Sequence, residues 1–334
     1  MSKLIVIVGV TGVQGSSVAD AFISLSGWKV RGITRNPTSP AARALVAQGV
    51  EIVKGDLEDK ESLLPAFEGA AAIFVNTDFF GHLMATFANP GLAGDRSPSQ
   101  YAADRAMQQY MNIAEVAASE IVLKTLERFV FSSLTEVSKW SKAKYTQCYH
   151  MDVKAQAIRA IKTKYPDLAA RMSMVQMGQY VRNWQTLPAM HPHKQTDGSF
   201  VVKRTYSPDR EIPFIVTDKD TGAFVRALVV DLPAGKHVLA VSESMTWPAW
   251  TKLWADVVGV PARFERVSEA EFWAGLPKAF TDVLAPDFAF VDEFGYTGGD
   301  PEVMTAEKLG VEIPVTSMEA YMRSEDWSSV LTRE

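Results

Sequence analysis

Leu4-Ile5-Val6-Ile7-Val8-Gly9-Val10-Thr11-Gly12-Val13-Gln14-Gly15 decides the fold. The continuous apolar run Leu4–Val8 suits a strand buried on both faces. Three glycines follow it at once and open a stretch of helical periodicity. In that context each glycine has its own task. Gly9 lets the chain turn sharply, Gly12 lets a backbone come close to a pyrophosphate, and Gly15 lets a helix pack tightly on a sheet. A helix start offers unbonded N–H groups and a partial positive charge, which together hold phosphate.

The pattern continues outward from this loop. Gly12 to Leu25 reads as a helix with Val18, Ala21, Phe22 and Leu25 on one face. Strand patterns follow at 29–34, 50–53, 71–76, 128–132 and 169–176, and helix patterns at 40–48, 59–67, 100–118 and 150–163. Residues 79–98, rich in Gly, Pro and Asn, read as a long loop. This alternation calls for an α/β fold, a doubly wound parallel Rossmann sheet. The rhythm breaks after residue 178, where Pro188, Pro192, Gly198, Pro208 and Pro213 interrupt it. A strand pattern at 237–241 is placed to rejoin the sheet, and 246–258 reads as a helix with Pro248 in its first turn. The expected division is a Rossmann domain of 1–178 with 237–241 and 246–258, and a smaller C-terminal α+β lobe of 179–235 and 260–334. That lobe should pack against the carboxyl ends of the strands.

The residue that usually selects the nucleotide lies about 20 positions beyond the loop, where an acid holds the ribose 2′-OH of NAD. Here that position is Arg35. An arginine pairs with a 2′-phosphate, so NADP(H) is favoured, with NAD(H) still admissible. In Gly55-Asp56-Leu57, after the third strand pattern, Asp56 is suited to accept from an adenine amine and Leu57 to cover the ring. A plain helix-leading turn is compatible with both.

With these pieces in place, the sequence resembles the NmrA-like family of atypical short-chain dehydrogenases. The resemblance rests on Val8 to Gly15 with Gln14 inside the loop, Arg31-Gly32-Ile33-Thr34-Arg35-Asn36-Pro37, Gly55-Asp56-Leu57-Glu58-Asp59 and Phe74-Val75-Asn76-Thr77-Asp78-Phe79-Phe80. It continues in His150-Met151-Asp152-Val153-Lys154 and Gln179-Tyr180-Val181-Arg182-Asn183-Trp184, and covers about residues 1–250. It implies a cofactor-binding Rossmann domain with a small C-terminal lobe. Thr11, Gly12, Val13, Gln14, Asn76 and Thr77 then join Gly9 and Gly15 as cofactor contacts, and Phe79, Tyr180 and Asn183 face substrate. The family contains both NADPH-dependent reductases and proteins that sense the nicotinamide and act through a partner. The resemblance therefore leaves open an oxidoreductase for a small carbonyl, enone or imine compound and a non-catalytic redox sensor regulating, for example, a transcription factor.

Short-chain dehydrogenases use a Tyr-x-x-x-Lys pair and a serine, the tyrosine moving a proton at the carbonyl. Lys154 is present as a ligand for the nicotinamide ribose, but four residues earlier stands His150. Tyr149 is one residue off, about 100° around a helix. His150 or Tyr149 is then the candidate proton donor, histidine being a residue type that transfers protons near neutral pH, and the alternative is that His150 only orders the loop while Lys154 binds the ribose. Leu134 stands where the serine usually does, with Ser132, Ser133 and Thr135 as substitutes.

Bulk properties exclude other classes. A net charge of −5 over 334 residues gives no grip on nucleic acid or on an anionic membrane. No run approaches the roughly 20 apolar residues of a spanning helix, and the opening strand lacks the layout of a signal peptide. One cysteine, Cys148, fits a reducing compartment, so a cytoplasmic location is expected, with the nucleus open. His191 and His193 flank Pro192 without further ligand spacing, so no metal is expected. Trp247, Trp250 and Trp254 share one helical face and read as core or as a subunit contact, which leaves a homodimer open.

Overall fold

The computed structural model describes residues 2–332, so residue 1 and residues 333–334, at the expected domain ends, lie outside it. Seven strands form the central sheet: β1 (Lys3–Val8), β2 (Trp28–Thr34), β3 (Glu51–Lys54), β4 (Ala72–Val75), β5 (Arg128–Ser133), β6 (Met172–Met177) and β7 (His237–Ala240). Their order is β7-β6-β5-β4-β1-β2-β3, and every adjacent pair is parallel. β7 rejoins the sheet beside β6, as its apolar pattern suggested. Alternate residues of one strand serve opposite faces. Val6, Ile73 and Phe129 join one core cluster, while Ile5, Phe74 and Val130 join another.

Helices of eight or more residues are α1 (Val13–Ile23), α2 (Pro40–Ala47), α3 (Phe79–Ala88), α4 (Pro98–Ala117), α5 (Tyr149–Lys164), α6 (Thr217–Arg226), α7 (Trp247–Val258) and α8 (Lys278–Phe294). α4 and α5 cover one face of the sheet, and α1 and α6 the other. The α1–α6 approach is close because Gly222 has no side chain. A Cβ there would lie 2.1 Å from the Ser17 carbonyl oxygen.

Two expectations about local structure are corrected. Residues 79–98 are not a loop, because α3 fills the first half. Asp78 caps it by accepting from the Gly81 N–H at 2.9 Å, and Phe79, Leu83 and Thr86 form its buried face. Pro90, Gly91, Gly94 and Pro98, which suggested a loop, come after this helix has ended, and Gly81 alone lies in its first turn. Conversely, 59–67 is not one helix. It is a short turn, Lys60–Ser62, followed by the four residues Leu64–Phe67, with Pro65 at the joint.

The second half of the chain builds two small three-stranded sheets around a third core cluster. One joins Glu243–Thr246, Glu211–Ile215 and Gln179–Tyr180; the other joins Ala262–Arg266, Phe200–Arg204 and His193–Lys194. α7, expected with the Rossmann sheet, lends its indoles to this cluster instead. Trp247 packs edge-on to Phe214, and Trp254 to Phe200 and Trp327. Three indoles on one face fill a volume that the small sheets alone leave open.

Candidate functional site

At the carboxyl end of β1 the chain turns through Gly9, whose φ of +75° lies in the left-handed region that glycine adopts without strain. The Gly12 N–H returns to the Gly9 carbonyl at 3.0 Å, and Gly12 then starts α1 with no side chain capping it. Gly15 is the tightest point. A Cβ there would fall 2.2 Å from the Gly9 oxygen and 2.7 Å from the Val10 Cα. Gly9, Thr11, Gly12 and Val13 are exposed, so this helix start is open to a phosphate. It sits between β1 and β4, where the strand order reverses and open α/β sheets bind ligands.

Beyond β2, Arg35 is exposed and makes no ion pair among the described residues. Arg31, its neighbour on the strand, is already committed to Glu51 at 2.9 Å and to the carbonyls of Ala66 and Glu68. Asp56 holds a turn by accepting from the Glu58 N–H at 3.0 Å, and the Leu57 carbonyl accepts from Asn112 at 2.8 Å.

On the other side of α1 a cavity of about 630 Å³ opens between the sheet and the second lobe. Of the residues singled out by sequence, Gln14, Asn76, Thr77, Phe79, His150, Lys154, Tyr180 and Asn183 line it. Gly9, Thr11, Gly12, Val13, Gly15, Arg35, Asp56 and Leu57 lie outside it, along the loop and the far side of the sheet edge. Tyr149 is also outside. It points the other way around α5 and pairs with Gln100 at 3.3 Å, so the cavity places only His150 of the two proposed donors. The cause is the rotation between successive helical residues.

Lys154 is buried, its ammonium donating to Asn76 Oδ1 at 3.1 Å and to the Ser132 carbonyl at 2.8 Å. With no carboxylate beside it, burial pulls its pKa down to about 7. Gln14 ties the loop to the second lobe through its Nε2, which donates to the Tyr180 hydroxyl at 2.5 Å. Burial pushes Tyr180 up to about 12, so it stays protonated at neutral pH. Of the serine substitutes, Ser133 is taken by His237 at 3.1 Å, and Thr135 by the Tyr296 carbonyl and by Gln176, both at 2.8 Å. Only Ser132 keeps a buried hydroxyl on the cavity, while Leu134 presents an apolar wall.

Sequence reasoning missed Asp287 and Tyr206. Asp287 stands on α8, one residue after Pro286, and its Oδ2 lies 3.7 Å from His150 Nε2. Tyr206 stacks on Phe288 with ring centroids 5.1 Å apart. Neither belongs to a local motif, and no spacing links them to His150. Among the described residues no group of three or more His, Cys, Asp or Glu side chains is placed to hold a metal. Cys148 is buried directly before α5, and its thiol is pushed up by burial and then by Asp287 and Asp152. No helix of the described residues is long and apolar enough to cross a membrane.

The sequence profile described as the NmrA-like family matches residues 1–329. The chain belongs to the NmrA-like family. An NmrA-like family domain-containing oxidoreductase, cpsB, of Aspergillus campestris is 24% identical over 312 residues, 90% of this chain and 87% of its own. The crystal structure of NmrA, a negative transcriptional regulator, superposes with a TM-score of 0.73 at 18% identity, covering 97% of this chain and 95% of that one. An NADPH-dependent quinone oxidoreductase from Escherichia coli, solved with NADPH, gives 0.63 at 19% identity over 95% and 98%. The NmrA-like fold is thus shared with a regulator and with an enzyme. The side chains in the cavity must distinguish the two.

Proposed function

We propose that this NmrA-like protein binds NADP(H) and is an oxidoreductase that reduces a small carbonyl, enone or imine compound. The carrying observation is the continuity between the glycine loop and a roomy cavity, joined through Gln14 and Asn76 beside the buried Lys154. The residues present fit a dinucleotide. Gln14 Oε1 and Ser132 Oγ are buried polar atoms with no hydrogen-bond partner among the described residues, both on the cavity wall. Buried polar atoms without partners are rare in folded chains, and a polar ligand satisfies them. Solved neighbours hold NAD, NADP or NADPH, which supports a nicotinamide dinucleotide, and the choice of NADP(H) rests on Arg35.

Gly9, Thr11, Gly12, Val13 and Gly15 would hold the pyrophosphate, Arg35 the 2′-phosphate, and Asp56 and Leu57 the adenine side. Asn76, Thr77 and Lys154 would hold the nicotinamide end. A bound reduced nicotinamide supplies a hydride. Lys154 fixes the ribose through its remaining N–H and steadies it against Asn76. His150 is the titratable donor on the wall and gives a carbonyl oxygen its proton. Phe79, Tyr180 and Asn183 position the substrate, and the apolar wall keeps water from the reacting carbon.

The cavity runs on from Asn76, Thr77 and Lys154, which would hold the nicotinamide end, to Tyr206, Phe280 and Leu284, and a sensor acting through a protein partner needs no such apolar extension, which supports turnover. The buried lone thiol remains consistent with a reducing, cytoplasmic setting. The test is incubation with NADPH and a panel of ketones, enones and imines while following absorbance of the reduced cofactor. Oxidation with at least one member is expected. NADPH binding with no oxidation across the panel would return the sensor reading to the front.

A further inference from the structure

Four side chains on the cavity wall carry or can carry charge: Lys154, His150, Asp78 and Asp287. Three of them have tasks. Lys154 is spent on Asn76 and Ser132, Asp78 caps α3, and His150 sits against Phe79 and Phe80 with ring centroids 5.9 and 5.4 Å away. Asp287 is different. Its carboxylate is only 21% exposed, it accepts no hydrogen bond among the described residues, and its one ionic neighbour is His150 at 3.7 Å. A carboxylate so placed is costly unless a cation meets it.

The surroundings of Asp287 suit a cation carried on an organic ring. Tyr206 and Phe288 stack on each other, Phe80 and Phe280 lie with centroids 6.2 Å apart, and Tyr296 shares the same wall. The charge of Asp287 reaches Tyr206 and Tyr296, adding to the upward push that burial gives both phenols. Aromatic faces attract cations, and more strongly when water is excluded.

We propose that the substrate is an organic cation, an iminium, held by Asp287 and the aromatic wall; this rests on the reading that the chain binds a nicotinamide dinucleotide. The iminium carbon accepts a hydride from the reduced dinucleotide. The C=N π pair moves onto nitrogen, giving a neutral amine, and the dinucleotide is left oxidised by two electrons. No proton enters the step. That agrees with Leu134 at the usual serine position and with Tyr149 turned away from the cavity.

The test separates this proposal from the one beneath it. Calorimetric titration with NADP+ first establishes the holoprotein, and failure there overturns cofactor binding alone. The holoprotein, or the free chain if no dinucleotide binds, is then titrated with an N,N-dimethylated tetrahydroisoquinolinium, which is inert to reduction, and with its all-carbon neutral isostere. Tighter binding of the cation by about tenfold or more is expected from the carboxylate and the ring faces. Asp287→Asn should bring the two ligands close to parity. Equal binding by the wild type, or an undiminished preference in Asp287→Asn, overturns the proposal. Should Asp287→Asn not fold, the wild-type comparison still decides. Turnover adds a second readout: with NADPH, an N-methyl iminium should show a higher kcat/KM than a ketone of the same skeleton, and a preferred ketone would count against the cation.

Discussion

The two ends of the groove are built by different means. At the loop end, backbone does the work: Gly9 takes a left-handed turn, Gly15 makes room, and α1 presents its start. At the cavity end, side chains from β4, β5, α3, α5, α8 and the Gln179–Tyr180 segment converge. The first kind of site is local in sequence and tolerates no added atoms. The second is assembled from distant segments, so its chemistry varies while the fold is kept.

The strongest way to break the comparison is to add atoms at the loop. Gly15→Val should cost about 3 kcal/mol or more, because neither backbone neighbour can give way to a branched side chain. Urea unfolding followed by far-ultraviolet dichroism measures this, and a loss under about 1 kcal/mol would mean the loop is not rigid. At the other end, Lys154→Met should fold well and lose NADPH affinity. The drop is expected at roughly 10- to 100-fold, the range for hydrogen bonds to a charged group. Unchanged affinity in a fluorescence titration would remove Lys154 from the cofactor site.

Arg35→Glu sharpens the comparison within the loop end itself. NADPH binding should weaken about tenfold or more, and NADH much less, since only the former carries the 2′-phosphate. Parallel losses for both nucleotides would refute that role. The last effect concerns the edge of the sheet, away from the glycine loop. His237 on β7 has its pKa lowered to about 4 by burial, against 6.5 for a free histidine. The unfolded chain thus binds more protons between those values, and stability should fall as pH drops from about 6.5 toward 4. His237→Gln, which keeps a partner for Ser133, should flatten that part of the Tm-against-pH curve. An identical slope in the variant would assign the acid sensitivity elsewhere.

Much of this was legible without coordinates because the deciding signals were short-range. The loop, the strand and helix that flank it, and Arg35 all lie within the first 35 residues, and each further strand–helix unit is equally local. Lys154 was legible through its motif, and so was His150. Misreadings came where a local signal competed with another. Pro90, Gly91 and Gly94 obscured the cap at Asp78, and the Trp247–Trp254 stripe identified a buried face without saying which core it enters. Tyr149, one residue off the motif, stayed beside His150 as a candidate until the start and roll of α5 were known.

By itself, then, the sequence determined a doubly wound sheet, a glycine loop open at a helix start, and an arginine, Arg35, beyond the second strand where an acid would select NAD. Each follows from periodicity or from a glycine without a side chain, properties that neighbours in the chain settle among themselves. Only the tertiary structure decided which donor faces the cavity, that Leu134 walls it, and that Asp287 stands 3.7 Å from His150 across 137 residues of chain. Those facts depend on how α5 is rolled and on how α8 is brought beside its first turn, and such long-range packing leaves no periodic trace along the chain.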